Sequence, residues 1–172
     1  MFTTNEEDLR EAEKLQKRLQ QQADSDDEDD GDDDYRHNNV AGKKNLTSSS
    51  SSGYRIPNVS IDSGAHKYVL ISAILPPGED SGKERQYFVV SRRGAEYHRN
   101  VAEPFVECLE QSGYSNIRIM GGGRIALDET RKLISIYGYS YGFGLADHAL
   151  SQSVVEKDPR YQDYQITWSN DG

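Results

Sequence analysis

Hydrophobic positions along the chain follow two rhythms, and the switch between them falls near residue 53. Beyond it, β-branched and aromatic residues gather into short runs that predict strands over 67–75, 86–91, 117–120, 124–127, 132–139 and 164–168. Residues 132–139 show the period of two most clearly, with Leu133, Ser135 and Tyr137 alternating against Ile134, Ile136 and Gly138. Apolar residues at helical spacing (Val101, Phe105, Cys108, Leu109) predict a helix over about 96–112, closed by Gly113. Pro104 lies inside it, so the helix either kinks there or becomes regular only from that residue. A second helix is expected over 146–157. Strands outnumber helices and often follow one another directly, which reads as α+β with a mixed sheet rather than a doubly wound one.

Before residue 53 the pattern is different. Thr4 followed by Glu7 is a capping-box signature for a helix over about 6–22. Its apolar stripe, Leu9, Ala12, Leu15 and Leu19, is narrow, and a lone helix of this length is marginal in water. A fraying, solvated helix is therefore expected, with pairing to a partner helix as the alternative. An acidic run from Asp24 to Asp34 and a serine run from Ser48 to Ser52 follow, neither able to bury enough apolar surface to fold. Two parts result: a disordered acidic, serine-rich tail over 1–53 and a folded domain over 54–172.

Composition sharpens this division. Of the formal net charge of −9, the first 53 residues carry −7, from 14 Asp/Glu against 7 Lys/Arg. An acidic chain is a poor general nucleic-acid binder. No apolar run approaches the ~20 residues of a membrane span, and the N-terminus lacks the basic and apolar regions of a signal peptide. The single cysteine, Cys108, precludes an intrachain disulfide and a cysteine-based metal site. A soluble protein of the cytosol, or of the nucleus, is expected.

Candidate chemistry centres on Arg92-Arg93-Gly94-Ala95-Glu96-Tyr97-His98, the end of a strand, a turn and the start of a helix. His98 would lie in the first helical turn, where unpaired N–H groups and the dipole favour an anion; a surface or cap role is the plainer alternative. Gly121-Gly122-Gly123-Arg124 has no Gly-Lys-Ser/Thr after it, so it is no Walker loop. A hairpin or bulge using positive φ is expected, with Arg124 placed to project toward a ligand. The alternating glycines of residues 137–144 suit either an anion-binding nest with the Ser140 hydroxyl or a tight turn with aromatic packing. His66, His98 and His148 lack carboxylates at ligand spacing, and no G-x-S-x-G elbow exists, so metal and serine-hydrolase chemistry are not expected.

Several segments taken in order resemble one family. They are His66-Lys67-Tyr68-Val69-Leu70-Ile71, Ala95-Glu96-Tyr97-His98, residues 121–125, residues 136–140, Ala146-Asp147-His148-Ala149 and residues 164–172. The family is that of the protein-histidine phosphatases, grouped with the Janus and Ocnus proteins, and the likeness covers roughly 56–172. It implies a mixed six-stranded β-sheet flanked by two α-helices, working without metal or organic cofactor. It implies His98 as the catalytic base or nucleophile and Lys67, Ser140, Tyr141 and Gly142 as phosphate-binding residues, with Tyr97, Arg93 and Arg124 in support. The partners implied are phosphohistidine-containing substrate proteins, with neither nucleic acid nor membrane involved and the chain itself a monomer. The alternative in the same family is a Janus-type phosphate-binding or regulatory protein without turnover. Gly94 stands where the family often has an aromatic residue, Gly142 where alanine is usual, and the tail lies outside the likeness.

Overall fold

The computed structural model describes residues 4–27, 56–76 and 85–171. The acidic run from residue 28 onward, the serine run and most of the loop after Leu75 fall outside these residues; the start of the acidic run is the end of the first helix. The elements run α1 (Thr4–Asp27), β1 (Val59–Ser60), β2 (Gly64–Ile74), β3 (Arg85–Ser91), α2 (His98–Gln111), β4 (Ser115–Asp128), β5 (Leu133–Tyr137), α3 (His148–Glu156), a 3-10 turn at Pro159–Tyr161, and β6 (Gln165–Trp168). The strands form one six-stranded sheet in the order β1-β3-β2-β4-β5-β6. Its inner pairs are antiparallel, and the two edge pairs, β1 with β3 and β5 with β6, are parallel. The α+β class and the mixed six-stranded sheet are as expected, but two of the six strands differ.

The expected strands 117–120 and 124–127 are one strand, β4, continuous through the glycine run. Met120 is the extra residue of a bulge, because Leu70 pairs with Gly121 while Ile71 pairs with Ile119. The sixth strand is β1, two residues long and too short to leave a periodic signal. The helix α2 starts at His98 with Tyr97 as its cap, and it runs unbroken past Pro104, which is exposed. Proline here removes one backbone donor within the helix.

The two faces of the sheet bury two separate cores. Residues of β2 alternate between them: Val69, Ile71 and Ala73 pack with α2, while Tyr68 and Leu70 pack against Val155 of α3 and Tyr161. Such alternation follows from the period of two, which sends neighbouring side chains to opposite faces. All the strand residues just named are buried, and each large side chain removed from water contributes roughly 1.5–3 kcal/mol.

A third helix joins the α2 face. Ala12, Leu15 and Leu19 of α1 are buried in the same core as Val101, Val106 and Leu109. Their stripe is therefore covered by this chain's own sheet, where the sequence favoured a solvated helix. Gln16 Nε2 donates to the Ile119 carbonyl at 3.2 Å, and Arg18 meets Glu110 at 2.9 Å. These contacts lay α1 against β4 and α2.

Candidate functional site

On β2 and β4, Lys67 and Arg124 are direct cross-strand partners. The neighbours Tyr68 and Ile125 belong to the α3 core, so Lys67 and Arg124 point to the other face, the one carrying α1 and α2. Tyr137, opposite Arg124 on β5, shares that face. Arg124 is exposed and lines an open cavity of about 430 Å³ with Tyr137, Gly138 and Tyr139.

His98 opens α2 over the same face and is buried, with 6% of its surface exposed. Its Nε2 lies 2.8 Å from the Gly123 carbonyl. A carbonyl can only accept, so Nε2 carries the proton and Nδ1 keeps a lone pair. Burial pushes the ring's pKa down to about 4; the Gly123 bond opposes this, while the charges of Lys67 and Arg124 push further down. The imidazole is accordingly neutral near pH 7, with two cations close enough to act on it.

Gly122 ties the site together. A Cβ there would lie 2.9 Å from Cδ2 of His98, 3.1 Å from Cβ of Ser140 and 2.7 Å from the Tyr68 carbonyl. Only a residue without a side chain lets the ring and the serine approach the strand this closely. The Gly122 backbone also holds the loop after β5, accepting from Ala146 N–H at 3.2 Å and donating to the Gly144 carbonyl at 3.0 Å. Within that loop Ser140 and Gly144 bond each other reciprocally, and Ser140 Oγ accepts from Phe143 N–H at 3.0 Å. The Ser140 hydroxyl proton is thus left to point elsewhere. Ser140 is buried, Tyr141 is half exposed, and Gly142 faces α1.

The structure thus brings together His98, Lys67, Arg124 and Ser140 by contact or charge, with Gly142 on the same loop. The supporting residues divide. Tyr97 caps α2, its N–H bonded to Asn100 Oδ1 at 2.9 Å, and its ring lies under the Arg99 guanidinium at 4.6 Å. Arg93 is engaged elsewhere: its N–H donates to Asp62 Oδ2 at 2.6 Å and its guanidinium to the Ser63 carbonyl at 3.2 Å.

The other two site-motif histidines serve the fold. His66 bonds the Ser63 carbonyl at 2.8 Å. His148 lies on the α3 face, with Nε2 2.7 Å from the Gly138 carbonyl and Nδ1 2.7 Å from Tyr68 Oη. Tyr68 Oη also meets Ser151 Oγ at 2.9 Å. With Nε2 donating, Nδ1 must accept, so Tyr68 donates to His148 and accepts from Ser151. Among the described residues no three His, Cys, Asp or Glu side chains gather as metal ligands would, and no helix is long and apolar enough to cross a membrane.

Two residues of this face escaped the sequence reading. Arg99 follows His98 and forms an ion pair with Asp8 of α1, Nη1 to Oδ1 at 3.5 Å. Asp8 is buried, 5% exposed. The trace it leaves in the sequence is positional: Asp8 extends the stripe Ala12, Leu15, Leu19 by one helical turn.

A neutral buried imidazole near two cations and a glycine-rich loop, on a mixed α+β sheet, is an arrangement able to hold an anion beside a histidine. The chain belongs to the Janus/Ocnus family, whose model matches residues 54–165. It is similar to a 14 kDa phosphohistidine phosphatase of Sus scrofa, 39% identical over 121 residues that span 69% of this chain and 93% of that protein. The 14 kDa phosphohistidine phosphatase of Homo sapiens is 37% identical over 119 residues, 68% of this chain and 93% of its own length. The sex-regulated protein janus-A of Drosophila pseudoobscura pseudoobscura is 32% identical over 119 residues, 69% of this chain and 78% of its own.

Proposed function

We propose that the protein is a phosphohistidine phosphatase acting on phosphohistidine-bearing proteins. The observation that carries this reading is His98: its Nε2 is committed to the Gly123 carbonyl, its Nδ1 keeps a lone pair, and burial keeps the ring neutral. Lys67 and Arg124, both acting on that ring, supply positive charge for a phosphoryl group. The Ser140 hydroxyl and the N–H groups of Tyr141 and Gly142 supply donors for its oxygens. Arg99, one residue from His98, adds a further cation at this face.

Hydrolysis of the P–N bond needs little more than alignment and charge compensation, since the leaving imidazole takes up a proton as the bond breaks. His98 Nδ1 has two routes. In one it removes a proton from water as the water oxygen attacks phosphorus. In the other it attacks phosphorus itself, the substrate imidazole departs with a proton, and water then releases phosphate from His98. Each route needs only side chains already in place, so a chelator is expected to leave the activity intact. The exposed Tyr139, which lines the cavity at Arg124, and the exposed Tyr141 offer surface for the substrate polypeptide. A cytosolic or nuclear setting goes with this reading, since Cys108 is an exposed free thiol, as suits a reducing compartment.

Turnover of phosphohistidine, phosphotyrosine and phosphoserine peptides by the purified chain tests the reading. Release of phosphate from phosphohistidine alone, lost in His98→Ala, is the expected result. Phosphate binding without turnover would instead make the chain a recognition protein of the Janus type.

A further inference from the structure

Part of the face that carries His98, at the Ser140 loop and Arg99, is covered by α1. Ala12 packs onto the loop of Ser140: a Cβ on Gly142 would fall 2.9 Å from Ala12 Cβ and 3.4 Å from Asp8 Oδ2. The Asp8 carboxylate thus lies against the loop residue whose N–H is offered to phosphate above. Arg99 approaches it from α2 at 3.5 Å and also reaches the Glu7 carbonyl at 3.5 Å. Lys67 attracts it from β2. Its Oδ1, fully buried, has no hydrogen-bond partner among the described residues. Burial raises the carboxyl's pKa and the charges of Arg99 and Lys67 oppose that rise.

A buried carboxylate, paired with a guanidinium, attracted by a more distant ammonium and set against a glycine loop, has the surroundings a phosphoryl group would need. It satisfies them incompletely, having two oxygens where a phosphoryl group has three. The family match begins at residue 54, and the phosphohistidine phosphatase relatives are matched over 93% of their length by about 120 residues of this chain. The family domain is therefore nearly whole without α1, and α1 is an addition laid onto it.

We infer that α1 is an intramolecular inhibitor, its Asp8 carboxylate occupying the anion site of Lys67, Arg99 and Gly142 until a phosphoryl group displaces it. The inference rests on the phosphatase reading for the identity of the displacing group. Ala12, Leu15 and Leu19 hold the helix down, while Asp8 enters the site one turn before them. The small residues Ala12 and Gly142 allow the close approach.

The test uses the full chain, with inorganic phosphate as the probe and phosphohistidine peptide as the substrate. Asp8→Asn keeps the size of the side chain and removes its charge, and Leu15→Glu weakens the seam. A site closed nine-tenths of the time binds about tenfold more weakly than an open one. Both variants are therefore expected to bind phosphate about tenfold more tightly, with kcat/KM raised in parallel. Asp8→Asn alone decides if Leu15→Glu does not fold. Unchanged or weaker phosphate binding in Asp8→Asn overturns the inference; with turnover retained, the phosphatase reading then stands. Tighter phosphate binding without turnover in any form leaves the inhibitor and removes the phosphatase. Neither binding nor turnover in any form removes both.

Discussion

His98 and His148 approach the same strand from opposite faces of the sheet, one residue apart along its backbone. His98 fits over Gly122 and bonds the Gly123 carbonyl, while His148 Cε1 would lie 2.8 Å from a Cβ on Gly123. Two glycines are what let two imidazoles share so short a stretch of β4. A methyl group at either position should therefore do different damage. Gly122→Ala would push on the His98 ring and also meet the Tyr68 carbonyl, which is backbone, at 2.7 Å, so it should cost stability as well as activity. It is expected to lower kcat/KM by two orders of magnitude or more, since small misplacements at a reacting centre cost about that much. Gly123→Ala would meet the Tyr137 carbonyl at 2.5 Å, which is backbone and cannot step aside. Its main effect should be on stability, read as a lowered thermal midpoint. An active, normally stable Gly122→Ala would show that His98 need not be held where it is.

The pH profile follows from the burial of His98. Its ordinary pKa of ~6.5 would place the acid limb of activity near neutrality. With the ring at about 4 in the fold, kcat/KM should lose no activity to His98 protonation until pH falls toward 4. The same shift acts on stability. The folded pKa is depressed, so the unfolded chain binds the proton more readily, and stability is fully present above about 6.5. It should decline as pH falls from there through about 4, over the window between the two values. Histidine resonances followed by NMR would report the site directly. Titration of His98 near 6.5 would contradict the burial described here.

Sequence reading reached this site unevenly, and the reasons are physical. The β-branched and aromatic content of β2 and the turn before His98 are local patterns, so the strand bearing Lys67 and the helix start bearing His98 were legible. The glycine run pointed correctly to a bulge or hairpin but split β4 in two. Glycines interrupt a strand's composition without interrupting its ladder. Arg93 and Arg124 look alike in sequence, and only the register of β2 against β4 separates the one facing Lys67 from the one bonded to Ser63. The stripe of α1 was legible as amphipathic, but its partner was not. That partner combines α2, β4 and the Ser140 loop, which are distant in sequence.

The buried network behind the site has a structural role that can be told from a chemical one. Tyr68 Oη joins His148 to Ser151, and Tyr68→Phe would leave the His148 Nδ1 acceptor without that donor. Leaving one buried polar group unsatisfied costs roughly 1–3 kcal/mol. The variant should unfold earlier in denaturant by that amount, while kcat per folded molecule changes little because Tyr68 faces the α3 core. A large loss of kcat with unchanged stability would draw the network into the reaction.

Lys67 and Arg124 are paired across two strands, and both act on His98, yet their substitution should not be equivalent. Lys67 is half-buried, while Arg124 is exposed at the mouth of the cavity it lines. Charge held out of water interacts more strongly than charge in it. Lys67→Met should therefore cost about a hundredfold in kcat/KM, in the range found for losing one positioned electrostatic donor. Arg124→Met should cost less, and its deficit should shrink further as salt is added, since exposed charges are screened. Either substitution removes a cation that disfavours the protonated ring, so the acid limb should move up in pH in both. Rate measurements at low and high ionic strength separate the two cations. Equal losses with equal salt dependence would place Lys67 and Arg124 at the same depth, against the packing of β2 under α1 and α2.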